Sequence, residues 1–193
     1  MWADPLTCAT IPSSGLPADR RVSAYCFAPP CVTSPQLSKL CSSLVVSFVF
    51  GQDLVARLSL GSVRDLVRCA WWLSYGTNDP SESCASIMTR IASFQSGGGT
   101  REEREDISQQ FIALRKTLEA NMHMADLFPT GRVLLALRKG DLPSDYQAET
   151  HVEDLQVFEV NDVEVVFGQI TFARDMLSCH LPHHYDHILH EFL

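Results

Sequence analysis

The chain has 193 residues, 46% of them apolar and 20% charged, an ordinary globular balance that suffices for one domain with a buried core. Its net charge of −8, with no Lys/Arg-rich block, argues against a nucleic-acid partner and against an anionic membrane bound by charge alone. No apolar run is long enough to span a bilayer, and Asp4 and Pro5 interrupt the start before a signal-peptide core forms. The seven cysteines include no Cys-x-x-Cys pair, so neither a zinc ribbon nor a redox motif is indicated, and we expect a reducing, cytoplasmic environment.

Residues 1–21 show no clean period and are predicted to be irregular, and the first regular elements after them form a predicted βαβ unit. The run Val22–Ala28 predicts a strand, which the next two prolines end. A short helix then runs from Pro35 to about residue 42, with Ser34 or Thr33 as its cap. The next apolar run is the second strand of the unit, so the order is strand, helix, strand.

That following run, Leu44–Phe50, is apolar except for one serine and ends at Gly51, which predicts a parallel strand buried on both faces. Asp53 lies directly beyond its carboxyl end, where chemistry collects in open α/β sheets. The ordinary alternative is a turn aspartate that hydrogen-bonds its own backbone. The sequence predicts an α/β fold in which Asp53 is a candidate acid.

The next helix is predicted to begin after Gly61, with Ser62 as its cap, and to end at the break 76–80. Helical spacing predicts that its buried face consists of Val63, Leu66, Val67, Ala70, Trp71 and Leu73. The opposite face would carry Arg64, Asp65 and Arg68.

A helical segment is predicted at about residues 78–126. It contains a weak helix over 81–94, a flexible glycine joint at 96–99, and a long amphipathic helix that starts at a Thr100/Glu103 capping box. The helix is expected to pack an apolar line, from Ile107 to Met122, on the body of the domain; a lid or regulatory role is the alternative.

The remaining elements follow a turn at 128–131. They are a strand over Arg132–Arg138, a polar loop over 139–153, a strand over 155–160, a short turn over 163–167 with Asn161 or Asp162 as cap, and a last helix from 182 to about 192 with Pro182 first.

Five of the seven histidines fall near the carboxyl end, and three hypotheses compete for them. In the first, a loop directs His180 at the Asp53 carboxylate, which makes two thirds of a Ser-His-Asp triad. In the second, His183 or His184 binds a metal ion with His187 and His190 on one helix face, but no His-Glu-x-x-His motif is present and a catalytic zinc usually recruits a third ligand. In the third, the histidines lie on the surface of a terminal helix. We favour this hypothesis for four of them, His183, His184, His187 and His190.

A triad also needs a nucleophile, and the chain contains no Gly-x-Ser-x-Gly elbow. Leu58-Ser59-Leu60-Gly61-Ser62 is faintly similar, but it follows the acid, whereas the α/β-hydrolase order is nucleophile, acid, histidine. The nucleophile is therefore expected before Val22, where Ser13-Ser14-Gly15 is a poor candidate.

Four segments together resemble the class 3 lipases, and among them the sn-1-specific diacylglycerol lipases and their fungal relatives. They are, in the order of that family, Tyr25-Cys26-Phe27-Ala28-Pro29-Pro30-Cys31, Val49 to Ser59, Pro129-Thr130-Gly131-Arg132-Val133-Leu134, and Phe172 to Pro182, which ends in Met-Leu-x-x-His-Leu-Pro. The similarity covers roughly residues 22–75 and 127–190, and it implies that the helical segment at about 78–126 is a variable insert.

The resemblance implies the carboxyl-terminal half of an α/β-hydrolase fold, with flanking helices on a mostly parallel sheet. It implies hydrolysis of acylglycerol esters, with Asp53 as triad acid and His180 as triad histidine, no metal and no cofactor. The serine elbow and the strands before it would lie outside this chain, so residues 1–193 alone should be inactive. The complete enzyme would be membrane-associated. The rival interpretation is a non-catalytic binding module derived from a hydrolase.

Overall fold

The computed structural model describes residues 22–75, 100–142 and 155–192, together with three single positions: Ser86, Thr89 and Ala92. The predicted irregular start, the glycine joint and most of the 139–153 loop lie outside the described residues. Of the helix predicted over 81–94, only the three single positions are described, and each is helical.

The described part forms four strands and five helices around one sheet. Their bounds are β1 (Ala24–Phe27), α1 (Pro35–Leu40), β2 (Val45–Phe50), α2 (Leu60–Tyr75), α3 (Arg101–Ala120), β3 (Arg132–Arg138), β4 (Leu155–Glu159), α4 (Val163–Phe167) and α5 (Pro182–Phe192). The strand order is β1-β2-β3-β4; the first three strands are parallel and β4 pairs antiparallel with β3. The prediction of an α/β fold with a mostly parallel sheet is therefore confirmed.

Strand β2 lies in the middle of the parallel pairs and separates two apolar cores. Phe50 packs with Tyr185 and Ile188 of α5 on one face of the sheet. Val49 packs on the other face in a cluster that includes Phe167 of α4. Because successive side chains alternate between faces, this strand is buried on both sides, as its uninterrupted apolar run predicted.

Several helix starts have the capping groups that the sequence predicted. The Ser34 hydroxyl accepts a hydrogen bond from Leu37 N at 3.3 Å, ahead of a proline in the first turn. Thr100 and Glu103 form the reciprocal capping box at the start of α3. Asp162 caps α4. Side-chain oxygens at these positions satisfy backbone N–H groups that lack a partner within the helix.

The cap predicted for α2 is wrong. The helix begins at Leu60, and Ser59 takes the capping position. Ser62 N donates to the Ser59 hydroxyl at 3.1 Å, while Ser59 N donates to the Ser62 hydroxyl at 2.7 Å. The two serines thus make a capping box with a hydroxyl in place of the usual carboxylate, so Ser62 is its third helical residue.

The buried face predicted for α2 is wrong for most of its residues, although Leu66 does pack against a core cluster. Asp65 and Cys69 are buried, whereas Val67 and Trp71 are each 64% exposed. The reason is a close contact at the start of the helix: a Cβ atom on Gly61 would lie 1.6 Å from the carbonyl oxygen of Met124. Only a helix face with small side chains can approach the backbone of Met124 that closely.

Helix α3 packs on the body chiefly at its carboxyl-terminal end. Leu118 packs against a cluster that contains the buried Met122, just beyond the helix. Phe111, from the same predicted line, is 48% exposed, and no residue of the helix itself is fully buried. None of the described helices has the length and apolar character needed to cross a bilayer.

Candidate functional site

The acid loop turns directly at the end of β2. Gly51 has φ +57°, a left-handed conformation that favours glycine, and a Cβ there would lie 3.0 Å from the sulfur of Cys179. The turn brings Asp53 to the carboxyl end of the parallel strands, the edge at which α/β sheets bind their ligands. It also seats the segment just before His180 against the end of β2.

Asp53 is fully buried, and both its carboxylate oxygens accept hydrogen bonds. Oδ1 accepts from Val55 N at 2.8 Å, and Oδ2 accepts from the Tyr185 hydroxyl at 2.8 Å. The hydrogen bond from Val55 N confirms the turn-aspartate interpretation. The bond from Tyr185 shows that Asp53 also has a partner far away in the sequence. A buried carboxylate requires such donors, because an unpaired charge in the interior is costly.

His180 lies at the end of a short 3₁₀ turn, Ser178–His180, just before α5. Its Nδ1 is 3.2 Å from Oδ2 of Asp53, although 127 positions separate the two residues. The histidine side chain is 42% exposed while the acid is 0% exposed. The spatial meeting of these two residues, predicted from the sequence, is therefore present in the structure.

The partner of Nδ1 determines the tautomer of the imidazole. Where the Asp53 carboxylate is ionised, it only accepts hydrogen bonds, and Nδ1 then carries the proton of this contact. In the neutral ring, the lone pair then lies on Nε2, which is the atom able to take a proton from a hydroxyl. This arrangement is the one by which an aspartate orients the base of a serine triad.

Tyr185 is a partner of the acid that the sequence prediction missed. Its hydroxyl donates to Asp53 and accepts from Phe50 N at 3.2 Å, so it links α5 to the end of β2. Burial, and then the hydrogen bond to Asp53, raise the pKa of Tyr185 above its usual range. A signal was present: Tyr185 and Ile188 are three residues apart and share the inward face of the last helix.

Contacts hold the acid loop both against the turn before His180 and against the end of α4. Leu54 N donates to the carbonyl of Met176 at 2.9 Å. The Arg57 guanidinium, 5% exposed, donates to the carbonyls of Val166 and Gln169 and lies over the Phe167 ring at 5.1 Å. Burial lowers the pKa of Arg57 from its ordinary value. The acid loop is thus fixed to the chain at two places, of which the Met176 carbonyl is the one next to the His180 turn.

Cys179, beside the histidine, is a structural thiol. Its side chain is 0% exposed, and its sulfur donates to Asp175 Oδ2 at 3.4 Å. Burial, followed by that hydrogen bond, raises the pKa of Cys179 to about 11, so it is not an activated nucleophile. Asp175 in turn pairs with Arg138 at 2.7 Å, which ties this turn to β3.

Three of the four histidines of α5 lie on its outer side. His183, His187 and His190 are exposed, as predicted. His184 departs from that prediction: it is half-buried, its ring lies 5.4 Å from that of Phe50, and burial lowers its pKa. Within the described ranges, no three His, Cys, Asp or Glu side chains are arranged to hold a metal ion.

Comparisons with known proteins add no further identification. No family model, curated protein or solved structure that was compared with this chain matches it. The fold and the contacts around Asp53 are therefore the observations on which a function can be argued.

Proposed function

We propose that this chain is the carboxyl-terminal part of a serine ester hydrolase of the diacylglycerol-lipase type, which acts on acylglycerols. It would supply the triad acid, Asp53, and the triad histidine, His180. The observation that supports this is the 3.2 Å contact between His180 Nδ1 and the buried carboxylate of Asp53 at the carboxyl ends of parallel strands.

The mechanism follows from the tautomer that Asp53 holds. Nε2 of His180 would take the proton of a serine hydroxyl as that oxygen attacks the ester carbonyl. The positive imidazolium that results is stabilised by the Asp53 carboxylate, and Nε2 then returns the proton to the departing alcohol. The serine would come from a strand and elbow that precede β1 in the order nucleophile, acid, histidine.

The partial exposure of His180 also supports a chemical role. A histidine that served only to neutralise Asp53 would be expected inside the protein, with both ring nitrogens satisfied. Instead 42% of the His180 side chain is exposed, while Asp53 already has donors from Val55 N and Tyr185. An accessible imidazole with a buried orienting acid is what acyl transfer requires.

The proposal makes a direct prediction for residues 1–193 alone. They should not hydrolyse a short-chain acyl ester, and a serine-directed fluorophosphonate should not label them, because the proposed nucleophile is outside this sequence. Labelling of any serine in this chain, mapped by mass spectrometry, would overturn the proposal.

The positive test uses a polypeptide that extends this chain with the segment preceding it and contains a Gly-x-Ser-x-Gly elbow. Asp53→Asn and His180→Ala should each lower kcat by about 10³- to 10⁴-fold, because each removes a member of a triad that acts as a unit. His183→Ala, a change at an exposed neighbour on α5, is the matched control and should leave kcat within about twofold. Unchanged hydrolysis in the Asp53→Asn and His180→Ala variants would refute the assignment.

A further inference from the structure

The segment that ends in His180 lies largely at the surface. It spans residues 175–180, hereafter the histidine turn, and Cys179 is its one buried residue. Leu177 is 65% exposed, and Ser178 is exposed as well. Segments with few buried apolar groups open locally at a low cost in free energy. The contacts that hold the histidine turn therefore decide where the imidazole lies.

Asp175 organises the turn from its first position. Its backbone carbonyl accepts hydrogen bonds from Cys179 N at 2.8 Å and from the Ser178 hydroxyl at 3.0 Å. Its carboxylate Oδ2 also accepts from the Cys179 sulfur at 3.4 Å. These bonds close the turn directly before His180. A group that fixes Asp175 therefore fixes the residue that carries the imidazole.

Arg138 fixes Asp175 to the sheet. Its Nη1 donates to Asp175 Oδ2 at 2.7 Å, a short hydrogen bond between opposite charges. The guanidinium also lies over the ring of Phe50, the last residue of β2, at 4.8 Å. Arg138 is itself the last residue of β3, so this contact lies at the carboxyl ends of the parallel strands, where Asp53 is. The histidine turn is thus linked to the ends of two strands.

The charges of this pair act locally. Burial acts to raise the pKa of Asp175, but the hydrogen bonds from Arg138 and Cys179 outweigh it and lower that pKa, so the carboxylate is ionised at neutral pH. The Arg138 and Asp175 side chains are 40% and 38% exposed. An ion pair exposed to that extent adds little to the stability of the whole domain, because water screens it. What the pair does provide is one short, directed contact for an otherwise exposed turn.

We propose that Arg138 and Asp175 are a positioning pair, which holds the histidine turn so that Nδ1 of His180 stays next to Asp53. The pair acts through His180 and is not itself catalytic. Its effect on hydrolysis rests on the function proposed above, in which a shift of a general base by about 1 Å lowers the rate by up to about 100-fold. Its effect on the imidazole does not depend on that function and is measured separately.

The first test is ¹⁵N NMR of the His180 ring in residues 1–193, assigned by comparison with His180→Ala. At about pH 9, well above the ordinary pKa of an imidazole, the ring is read as a neutral tautomer. The unmodified chain should show the proton on Nδ1, as the contact with Asp53 requires. Arg138→Ala and Asp175→Ala should each move both ring ¹⁵N shifts towards those of a histidine free in water.

The matched control is Arg132→Ala. Arg132 is the first residue of the same strand, β3, and it pairs with the Glu159 carboxylate at 2.9 Å. It therefore offers the same kind of ion pair at the end of the strand away from the histidine turn. The ring shifts of His180 should be the same in Arg132→Ala as in the unmodified chain.

The second test uses the polypeptide that contains the Gly-x-Ser-x-Gly elbow. Arg138→Ala and Asp175→Ala should each lower kcat by about tenfold and leave KM within about twofold. The double variant should lose no more than either single one, because both changes remove the same contact. Arg138→Lys, which keeps a cation at this position, should recover most of kcat, and Arg132→Ala should retain all of it.

Two results would overturn the proposal. One is a set of His180 shifts in Arg138→Ala that matches those in Arg132→Ala. The other is a pair of kcat losses that multiply in the double variant, because the two residues would then act independently. If Arg138→Ala also lowers the urea midpoint of the domain, Arg138→Lys decides: recovery of the Nδ1 tautomer supports the pair, and continued loss refutes it. Failure of the proposed hydrolysis differs from both, because activity would then survive His180→Ala while the tautomer still depended on Arg138.

Discussion

Removal of the Tyr185 hydroxyl tests how the acid is held. Tyr185→Phe keeps the aromatic ring, which lies 6.1 to 6.5 Å from the rings of Phe27, Phe48 and Phe50. It deletes the hydrogen bond to Asp53 at 2.8 Å and leaves Phe50 N without the acceptor it had at 3.2 Å. The change therefore isolates two hydrogen bonds from the packing around them.

The expected cost can be built from those two bonds. A hydrogen bond to a charged group contributes about 1.5 to 3 kcal/mol, and loss of a neutral one with its buried donor unsatisfied costs about 1 kcal/mol or more. Their sum is about 3 kcal/mol, a large share of the roughly 5 to 15 kcal/mol by which a domain is stable. Urea unfolding followed by tryptophan fluorescence at neutral pH measures this difference.

The matched control is Tyr25→Phe, because that hydroxyl belongs to a side chain that is 71% exposed. It should change the free energy of unfolding by less than about 0.5 kcal/mol. If Tyr185→Phe costs no more than this control, Tyr185 does not hold the acid in the way argued above.

The pH dependence provides a second check on Tyr185. Its folded pKa is raised above the ordinary value of 10.0 by burial and by Asp53, so the protonated phenol favours the folded state. Its contribution is complete below pH 10 and is lost as the pH rises towards the folded pKa. The stability gap between the unmodified chain and Tyr185→Phe should therefore narrow above about pH 10.

Two further predictions concern packing and a buried thiol. Gly61→Ala should destabilise the fold by about 3 kcal/mol or more, because its Cβ would lie 1.6 Å from the Met124 carbonyl oxygen, whereas Gly140→Ala, with nothing within 4 Å, should be nearly neutral in the same urea assay. Burial raises the pKa of Cys179 from 9.0 to about 11, so its neutral thiol contributes fully below pH 9 and less as the pH rises through 11. The cost of Cys179→Ala in thermal melts should accordingly shrink across this pH window, and a constant cost would contradict the burial argument.

Local signals sufficed to predict most elements and their ends. The strand Arg132–Arg138 has the bounds that its apolar run and flanking turn predicted. The Thr100/Glu103 box predicted the start of α3 because both of its groups act within one turn of the helix. The positions of the residues left the meeting of Asp53 with His180 as one of three hypotheses, and the resemblance between segments favoured it, since no local rule joins residues so far apart in sequence.

The orientation of α2 could not be predicted from periodicity. Its apolar residues do repeat at helical spacing, but that spacing is the same whether the line faces the core or solvent. What decides the orientation is the approach of Gly61 to Met124, a contact between two distant segments. Small size at Gly61 and Cys69, rather than hydrophobicity, marks the face that packs inside.

The contacts of Asp53 separate the residues that hold the fold from the residue available for chemistry. Val55 N donates to Oδ1 of Asp53 and the Tyr185 hydroxyl donates to Oδ2. Each oxygen of the carboxylate therefore has a donor without His180. A histidine whose side chain is 42% exposed adds little stability through an ion pair, because water screens the charges. Stability therefore explains why Tyr185 lies next to the acid but gives no reason for an exposed imidazole to share its Oδ2. A role in proton transfer does give a reason, because Asp53 then orients the imidazole towards a hydroxyl on the solvent side. This is the role that the proposed hydrolase function requires.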